Sequence, residues 1–290
     1  MNASQLERIK KMTIAALLAD DLLMGVLVLK GGNALGIAYD ITNRGSLDID
    51  FSMEKDFSSN EKRRIRNQVS YLLNDEFNKA GFQVIDVDFF DRPEQIDERV
   101  KDFWGGYKIV FKIVPLDVYM ANKDNINYLR MHSVSLTESH KKIYSVDISK
   151  YEYIGKARPK EIDGTVTLVY SPEMLALEKL RAICQQDPSY KKDIVFTMRQ
   201  RPRPRDFYDI YNLTESFKLD FTTKENKELL VHIFEAKKVP LPFICRIPEF
   251  YEFHFGDWES VLQTIDQGET PMEFQFYFEF VVNTFSFTCS

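Results

Sequence analysis

The stretch from Leu29 to Ser52, LKGGNALGIAYDITNRGSLDIDFS, constrains the fold more than any other part of the chain. Val26 to Lys30 is a short apolar run suited to a buried strand. Gly31 and Gly32 come next. Neither carries a Cβ, so the backbone can turn sharply there and come close to a ligand. Asn33 to Tyr39 reads as a short helix whose first amide groups point back at the turn, an arrangement that favours an anion. The chain returns through Arg44, Gly45 and Ser46 into a second strand, Leu47 to Met53. In that strand Leu47, Ile49, Phe51 and Met53 share one face, and Asp48, Asp50 and Ser52 share the other. Two carboxylates about 7 Å apart along one strand face make a poor buried surface. They make a good platform for Mg²⁺, which takes carboxylate oxygens together with substrate phosphates.

A D-x-D pair is not specific by itself. A second one, Asp86 and Asp88 in VIDVDFF, has no Gly-Gly turn before it and reads as a strand with a solvated face. What distinguishes Asp48 and Asp50 is their combination with Gly31-Gly32 and with the R-x-S lead-in.

The rest of the chain divides into two halves of different character. The spacing predicts an N-terminal helix opened at Ser4 to Glu7, with Leu6, Ile9, Thr13, Ala16 and Leu17 on one face. Ser58 to Glu61 announces a second helix that buries Ile65, Val69, Leu72, Leu73 and Phe77 and stops at Gly81. Phe82 to Phe90, Tyr107 to Val114, Ile143 to Ile148 and Thr165 to Tyr170 read as strands. Pro115 to His140 reads as an insertion over the sheet. At Ser171-Pro172, an N-cap followed by proline at the first helical position, the signals become helical. Met174, Leu177, Leu180 and Cys184 form one stripe there. Later helices are expected at Asp206 to Leu213, Lys224 to Lys237, Asp257 to Asp266 and Met272 to Phe285. In the last, Phe274, Phe278, Val281, Val282 and Phe285 recur at core spacing. The expected architecture is α+β, with a mixed-sheet domain over residues 1–170 and a helical bundle domain over residues 171–290.

With 290 residues the chain can bury a sizeable core. Its net charge of −6 means that contact with a polyanion must use a local basic patch. Arg199-Gln-Arg-Pro-Arg-Pro-Arg205 supplies one, with four arginines at alternate positions and prolines that favour an extended backbone. Arginine grips phosphate through a rigid fork; the plain alternative is a solvated basic loop. The three cysteines, Cys184, Cys245 and Cys289, show no metal spacing and no disulfide framework, as expected of a protein kept in a reducing cytoplasm. No apolar run is long enough for a membrane span. No Walker A, G-x-S-x-G or zinc spacing is present.

Four segments together resemble the AbiEii family of bacterial nucleotidyltransferase toxins, within the nucleotidyltransferase superfamily. That family reads roughly K-G-G-x-A-L, then R-x-S-x-D-h-D-F with h apolar, then E-K-L-x-A on a helix and R-D-x-x-D downstream. Lys30 to Leu35, Arg44 to Phe51, Glu178 to Ala182 and Arg205 to Asp209 match. The resemblance implies a metal-dependent enzyme that moves a nucleotide from a nucleoside triphosphate to an acceptor. It implies Mg²⁺ (or Mn²⁺) on Asp48 and Asp50, with a third carboxylate from a neighbouring strand; Asp147 is the candidate, ahead of Asp117 and Asp88. It implies nucleotide contacts from Gly31, Gly32, Arg44, Ser46 and Lys179, and a catalytic part for Lys179, Asp206 and Asp209. The bland alternative for these last three is a helix–helix salt bridge without chemistry. The family further implies a toxin paired with an antitoxin protein, serving phage defence (abortive infection) or growth control. It implies an RNA acceptor, the tRNA end; Arg199, Arg201, Arg203 and Arg205, which run straight into Asp206, are the candidates to hold it. Two other readings stay open here: a small-molecule nucleotidyltransferase of the aminoglycoside-modifying kind, and a nucleotide-binding module without turnover.

Overall fold

The N-terminal helix forms as α1 (Ala3–Leu18), and Asp20 then caps α2 (Asp21–Val26) by accepting from the Leu22 and Leu23 amides. The computed structural model describes residues 3–41, 48–135, 141–196, 198–265 and 270–289. The apolar run before the glycines is β1 (Val28–Lys30), buried at every position. The following helix starts two residues earlier than expected, on the glycines themselves: α3 (Gly31–Asn33) continues as a wider π-turn over Ala34–Ala38. Gly31 enters it at φ +69°, a conformation that glycine adopts without steric cost. The aspartate strand is β2 (Ile49–Ser52).

Ser58 closes the predicted capping box. Its Oγ accepts the Glu61 N–H at 3.3 Å, while Glu61 Oε2 accepts the Ser58 N–H at 2.7 Å. The helix α4 (Ser59–Lys79) that follows buries Ile65, Val69, Leu73 and Phe77. The next strands are β3 (Phe82–Arg92), β4 (Gly106–Pro115) and β5 (Tyr144–Ser149). The insertion forms two short helices, α5 (Leu116–Ala121) and α6 (Ile126–Met131), which cover a small cluster of Ile85, Val114 and Leu129. A hairpin, β6 (Arg158–Ile162) and β7 (Thr165–Val169), closes the first half. Its turn residues, Asp163 and Gly164, both have positive φ, as a two-residue hairpin turn requires.

These strands make one mixed sheet in the order β3-β4-β5-β2-β1-β7-β6. The pairs β2–β5 and β1–β7 are parallel, and β1–β2 is antiparallel. The second D-x-D lies near the far edge of the sheet. Asp86 there sits at an irregularity in β3 and is bound by Lys112 and Arg130.

From Ser171 onward the described chain is helical. Ser171 caps α7 (Pro172–Cys184), which is buried nearly all round rather than along the single predicted stripe. Helices α8 (Pro188–Asp193), α9 (Pro204–Phe217), α10 (Lys224–Glu235), α11 (Tyr251–Phe255), α12 (Trp258–Leu262) and α13 (Phe274–Thr284) follow, with a 3₁₀ segment at Leu241–Phe250. The α13 stripe is core: Phe274 and Phe278 lie 5.4 and 5.2 Å from the Phe207 ring. One continuous hydrophobic core runs from Ile9 to Phe285 through both halves. Because α7 is enclosed, each charge on it needs a partner nearby, since an unpaired buried charge is costly.

Two cysteines depart from the sequence reading. Cys245 and Cys289 form a disulfide with Cα atoms 5.5 Å apart, because a final short 3₁₀ turn, Ser286–Thr288, folds back on the 241–250 segment. A separation of 44 residues hides such a pairing from spacing arguments. No helix among the described residues is long and apolar enough to cross a membrane.

Candidate active site

Strand register brings four charged residues into one row across the sheet. Lys108 on β4 pairs with Asp147 on β5, Asp147 with Asp50 on β2, and Asp50 with Lys30 on β1. Directly paired residues project to the same face, so two carboxylates lie side by side between two lysines. Asp48 precedes β2 by one residue. Its Oδ1 accepts the Ser145 hydroxyl at 2.5 Å and lies 3.5 Å from Lys141, while its carbonyl accepts the Asn33 side-chain amide.

Gly31 fixes Asp50. A Cβ on Gly31 would lie 2.6 Å from Asp50 Oδ2, so the carboxylate occupies space that any side chain would fill. Burial pushes the Asp50 carboxyl up to about 7; Asp147, Glu178 and Asp48 add to the push, and Lys30 opposes it. Asp147 is answered differently, by Arg92 and Lys108, each at 2.8 Å.

Lys30 links this row to the helical half. Its ammonium donates to Glu178 on α7 at 2.5 Å and lies 3.5 Å from Glu152. Glu152 also receives Arg181 at 2.7 Å, and Lys237 lies 3.5 Å from it. Burial alone would lower the Lys30 pKa, but Glu178 and Glu152 hold it above the usual lysine range. Burial alone would raise Glu152, yet Arg181, Lys237 and Lys30 hold it well below the usual carboxylate range. Lys237, donating to the Phe103 and Lys150 carbonyls, is lowered by burial to about 8 against the pull of Glu152.

A cavity of about 640 Å³ opens beside the row, lined by Lys30, Asp147, Glu178 and Trp104 among others. Seven of its side chains are basic and three acidic, in a chain whose net charge is −6. Arg199, Arg201 and Arg203 line it; Arg205 does not, and reaches toward Thr264 at 3.5 Å. No hydrogen bond or ion pair engages the guanidinium of Arg199 or Arg201 among the described residues. Arg203 is anchored through its backbone, whose N–H donates to Nδ1 of the buried His254 at 3.0 Å. Burial depresses that imidazole to about 4 and keeps it neutral, so it can accept.

Lys179, one residue on from Glu178, points elsewhere on α7. Its ammonium lies 3.1 Å from Asp206 and 2.7 Å from Asp209, and all three side chains are buried. Asp206 also lies 3.5 Å from Arg203, so this triad adjoins the arginine loop. Arg44 and Ser46 lie outside the described residues. Sequence reasoning passed over Lys30, Glu178, Arg92 and Lys108. Lys30 and Glu178 stand in the K-G-G and E-K-L-x-A patterns themselves; Arg92 and Lys108 become visible only through pairings of 55 and 39 residues.

The donors facing this side of the sheet, Asp48, Asp50 and Asp147, are all oxygen. Among the described residues no three His, Cys, Asp or Glu side chains converge on one point. A magnesium ion commonly uses one or two protein carboxylates and completes its shell with phosphate oxygens and water. Asp48 and Asp50 fit that demand. Asp147 fits only if it leaves Arg92 and Lys108.

The AbiEii family profile, described as nucleotidyl transferase AbiEii toxin of a type IV toxin–antitoxin system, matches residues 14–280. Among solved structures, JHP933 from Helicobacter pylori is 16% identical over 100% of this chain and 97% of that one, with a TM-score of 0.45. An antigenic nucleotidyltransferase-like protein from Paracoccidioides brasiliensis is 14% identical over 82% of this chain and 94% of that one, with a TM-score of 0.37. No curated protein matches the chain.

Proposed function

We propose that this chain, which belongs to the AbiEii family of nucleotidyltransferase toxins, transfers a nucleotide from a nucleoside triphosphate to the end of an RNA strand, with a tRNA 3′ end as the acceptor. The acceptor hydroxyl gives up its proton to water as its oxygen forms a bond to the α-phosphorus, and the bond from that phosphorus to the bridging oxygen breaks to release pyrophosphate. Asp48 and Asp50 would hold Mg²⁺ or Mn²⁺, with Asp147 joining them once released from Arg92 and Lys108. Such an ion supplies charge stabilisation at the attacking and leaving oxygens. Gly31 and Gly32 let the backbone approach the triphosphate, Arg44 and Ser46 are assigned to the same nucleotide, and Lys179, oriented by Asp206 and Asp209, is assigned as a further cation. The family implies a toxin–antitoxin pair; phage defence by abortive infection is the proposed setting.

The observation that carries this reading is the side-by-side pair Asp50 and Asp147, of which Asp147 lines a basic cavity beside the row. Phosphoryl-type transfer depends mainly on positioning and on charge, and both are available here. A cationic small-molecule acceptor would favour an acidic cavity, so the excess of arginine and lysine supports a polyanion instead.

Arg199, Arg201 and Arg203 are assigned to the RNA backbone, with Arg205 behind them. Replacing the first three with Ser should weaken RNA binding and reduce the slope of log K against log salt by about two units, at roughly 0.7 per lost contact on a single strand. Nucleotide binding should change little. Unchanged RNA affinity and slope, measured by titration across a salt series, would remove the arginine loop from the acceptor path.

A further inference from the structure

Among the charged side chains of the cavity stands one large aromatic ring. Trp104 is only half-buried, and it lines the same space as Arg199 and Arg201. It lies just before Gly105, whose φ of +106° turns the chain into β4 at the cavity wall. The indole is supported rather than loose: the Lys237 ammonium lies 6.0 Å from the ring centroid, and the Tyr190 ring packs at 6.4 Å, tilted by 52°. Lys237 is held in turn by the Phe103 and Lys150 carbonyls, so the ring sits on a fixed base. Its indole N–H makes no hydrogen bond among the described residues.

A cavity that combines free guanidinium groups with a partly exposed, fixed indole suits one ligand chemistry well. Proteins that bind single-stranded nucleic acid pair a basic groove for the backbone with aromatic rings on which unpaired bases stack. Apolar burial alone gives no reason for a tryptophan to remain partly exposed among arginines. We infer that Trp104 is the stacking platform for an unpaired nucleobase, that of the terminal residue of the acceptor strand, with Arg199 and Arg201 on the phosphates next to it. The inference rests on the RNA reading above and adds to it that the acceptor end is taken single-stranded and held through its base. The base of the incoming nucleotide offers the same chemistry, so the test must separate the two sources.

The chain carries two tryptophans, and the other, Trp258, is buried against Phe274 and Tyr277, which leaves Trp104 as the responsive fluorophore. Titrating the full chain with a short single-stranded RNA should quench its tryptophan emission. Trp104→Ala should abolish the quench and weaken RNA binding by about 5- to 100-fold, the range measured for one lost stacked base. Trp104→Phe, which keeps an aromatic face and guards against misfolding, should bind within a fewfold of wild type. An RNA whose terminal residue is abasic should bind wild type as weakly as the intact strand binds Trp104→Ala. Nucleoside triphosphate affinity should be unchanged in both variants. Equal RNA affinity for wild type and Trp104→Ala would overturn the inference while leaving the RNA reading intact. A loss confined to the nucleoside triphosphate would also overturn it and assign the ring to the incoming base. If wild type binds no single-stranded RNA, the RNA reading itself fails, and this inference fails with it.

Discussion

Asp50→Asn should abolish nucleotide transfer and yet make the metal-free protein more stable. Both effects come from the burial of Asp50, among other carboxylates. Asp50 lies beside Asp147, close to Asp48 and Glu178, with Lys30 as its one opposing cation. Burial pushes its carboxyl from the ordinary carboxylate range up to about 7. Between roughly pH 4 and pH 7 the folded chain therefore holds a proton that the unfolded chain has lost. Stability falls as pH rises through that window and levels off above it. Asn carries no charge and removes this dependence, so the variant should melt a few degrees higher than wild type at pH 8, on the scale of roughly 2–4 °C per kcal/mol for a chain of this size. Transfer should drop by on the order of 10³-fold, because an ion at such a site contributes several kcal/mol to the barrier. Asp48→Asn should lose a comparable share of transfer. Calorimetry across pH in chelator checks the first half of the prediction, and transfer kinetics in Mg²⁺ the second. Full activity in either variant would remove the carboxylates from the metal assignment.

Lys179→Met should be costly in a different way. Its ammonium lies between two buried carboxylates, Asp206 and Asp209, and Asp209 is fully enclosed. Removing one partner of a buried pair costs about 3–5 kcal/mol, because the remaining charge is left in a poor solvent. The variant should melt about 10 °C lower or more. Loss of activity alone would therefore not distinguish chemistry from packing. The double variant Lys179→Met with Asp209→Leu does. Removing the stranded carboxylate should recover much of the stability. If Lys179 acts on the nucleotide, activity stays lost; if the triad only ties α7 to α9, activity returns along with the melting temperature. Measuring both quantities on the two variants separates the outcomes.

What the sequence made legible was local. The capping box at Ser58, the helix start at Ser171-Pro172 and the alternation in Tyr144–Ser149 each depend on residues a few positions apart, where spacing and side-chain type determine the geometry. The Gly-Gly turn and the Asp48-x-Asp50 strand were legible for the same reason. The hairpin at Asp163-Gly164 also carried a readable signal, since Asp-Gly between β-prone residues favours a two-residue turn, but the charged, proline-bearing β6 masked it. The remaining features were not local. The ion pairs Lys30–Glu178, Arg92–Asp147 and Lys108–Asp147 exist because β3, β4, β5, β2 and β1 align in register and α7 packs alongside. The Cys245–Cys289 bridge needs the chain end to fold back across the helical half. The early start of α3 reflects Gly31 adopting a positive φ to make room for Asp50, a tertiary demand that helix propensity does not contain.

The most direct measurement is to incubate the protein with each of the α-labelled nucleoside triphosphates and total RNA in Mg²⁺, then resolve the products by size and by 3′-end analysis. Label is expected at the 3′ end of tRNA-sized RNA, absent when the metal is chelated and absent with Asp50→Asn. Label found only on small molecules, or transfer undiminished in Asp50→Asn, would contradict it.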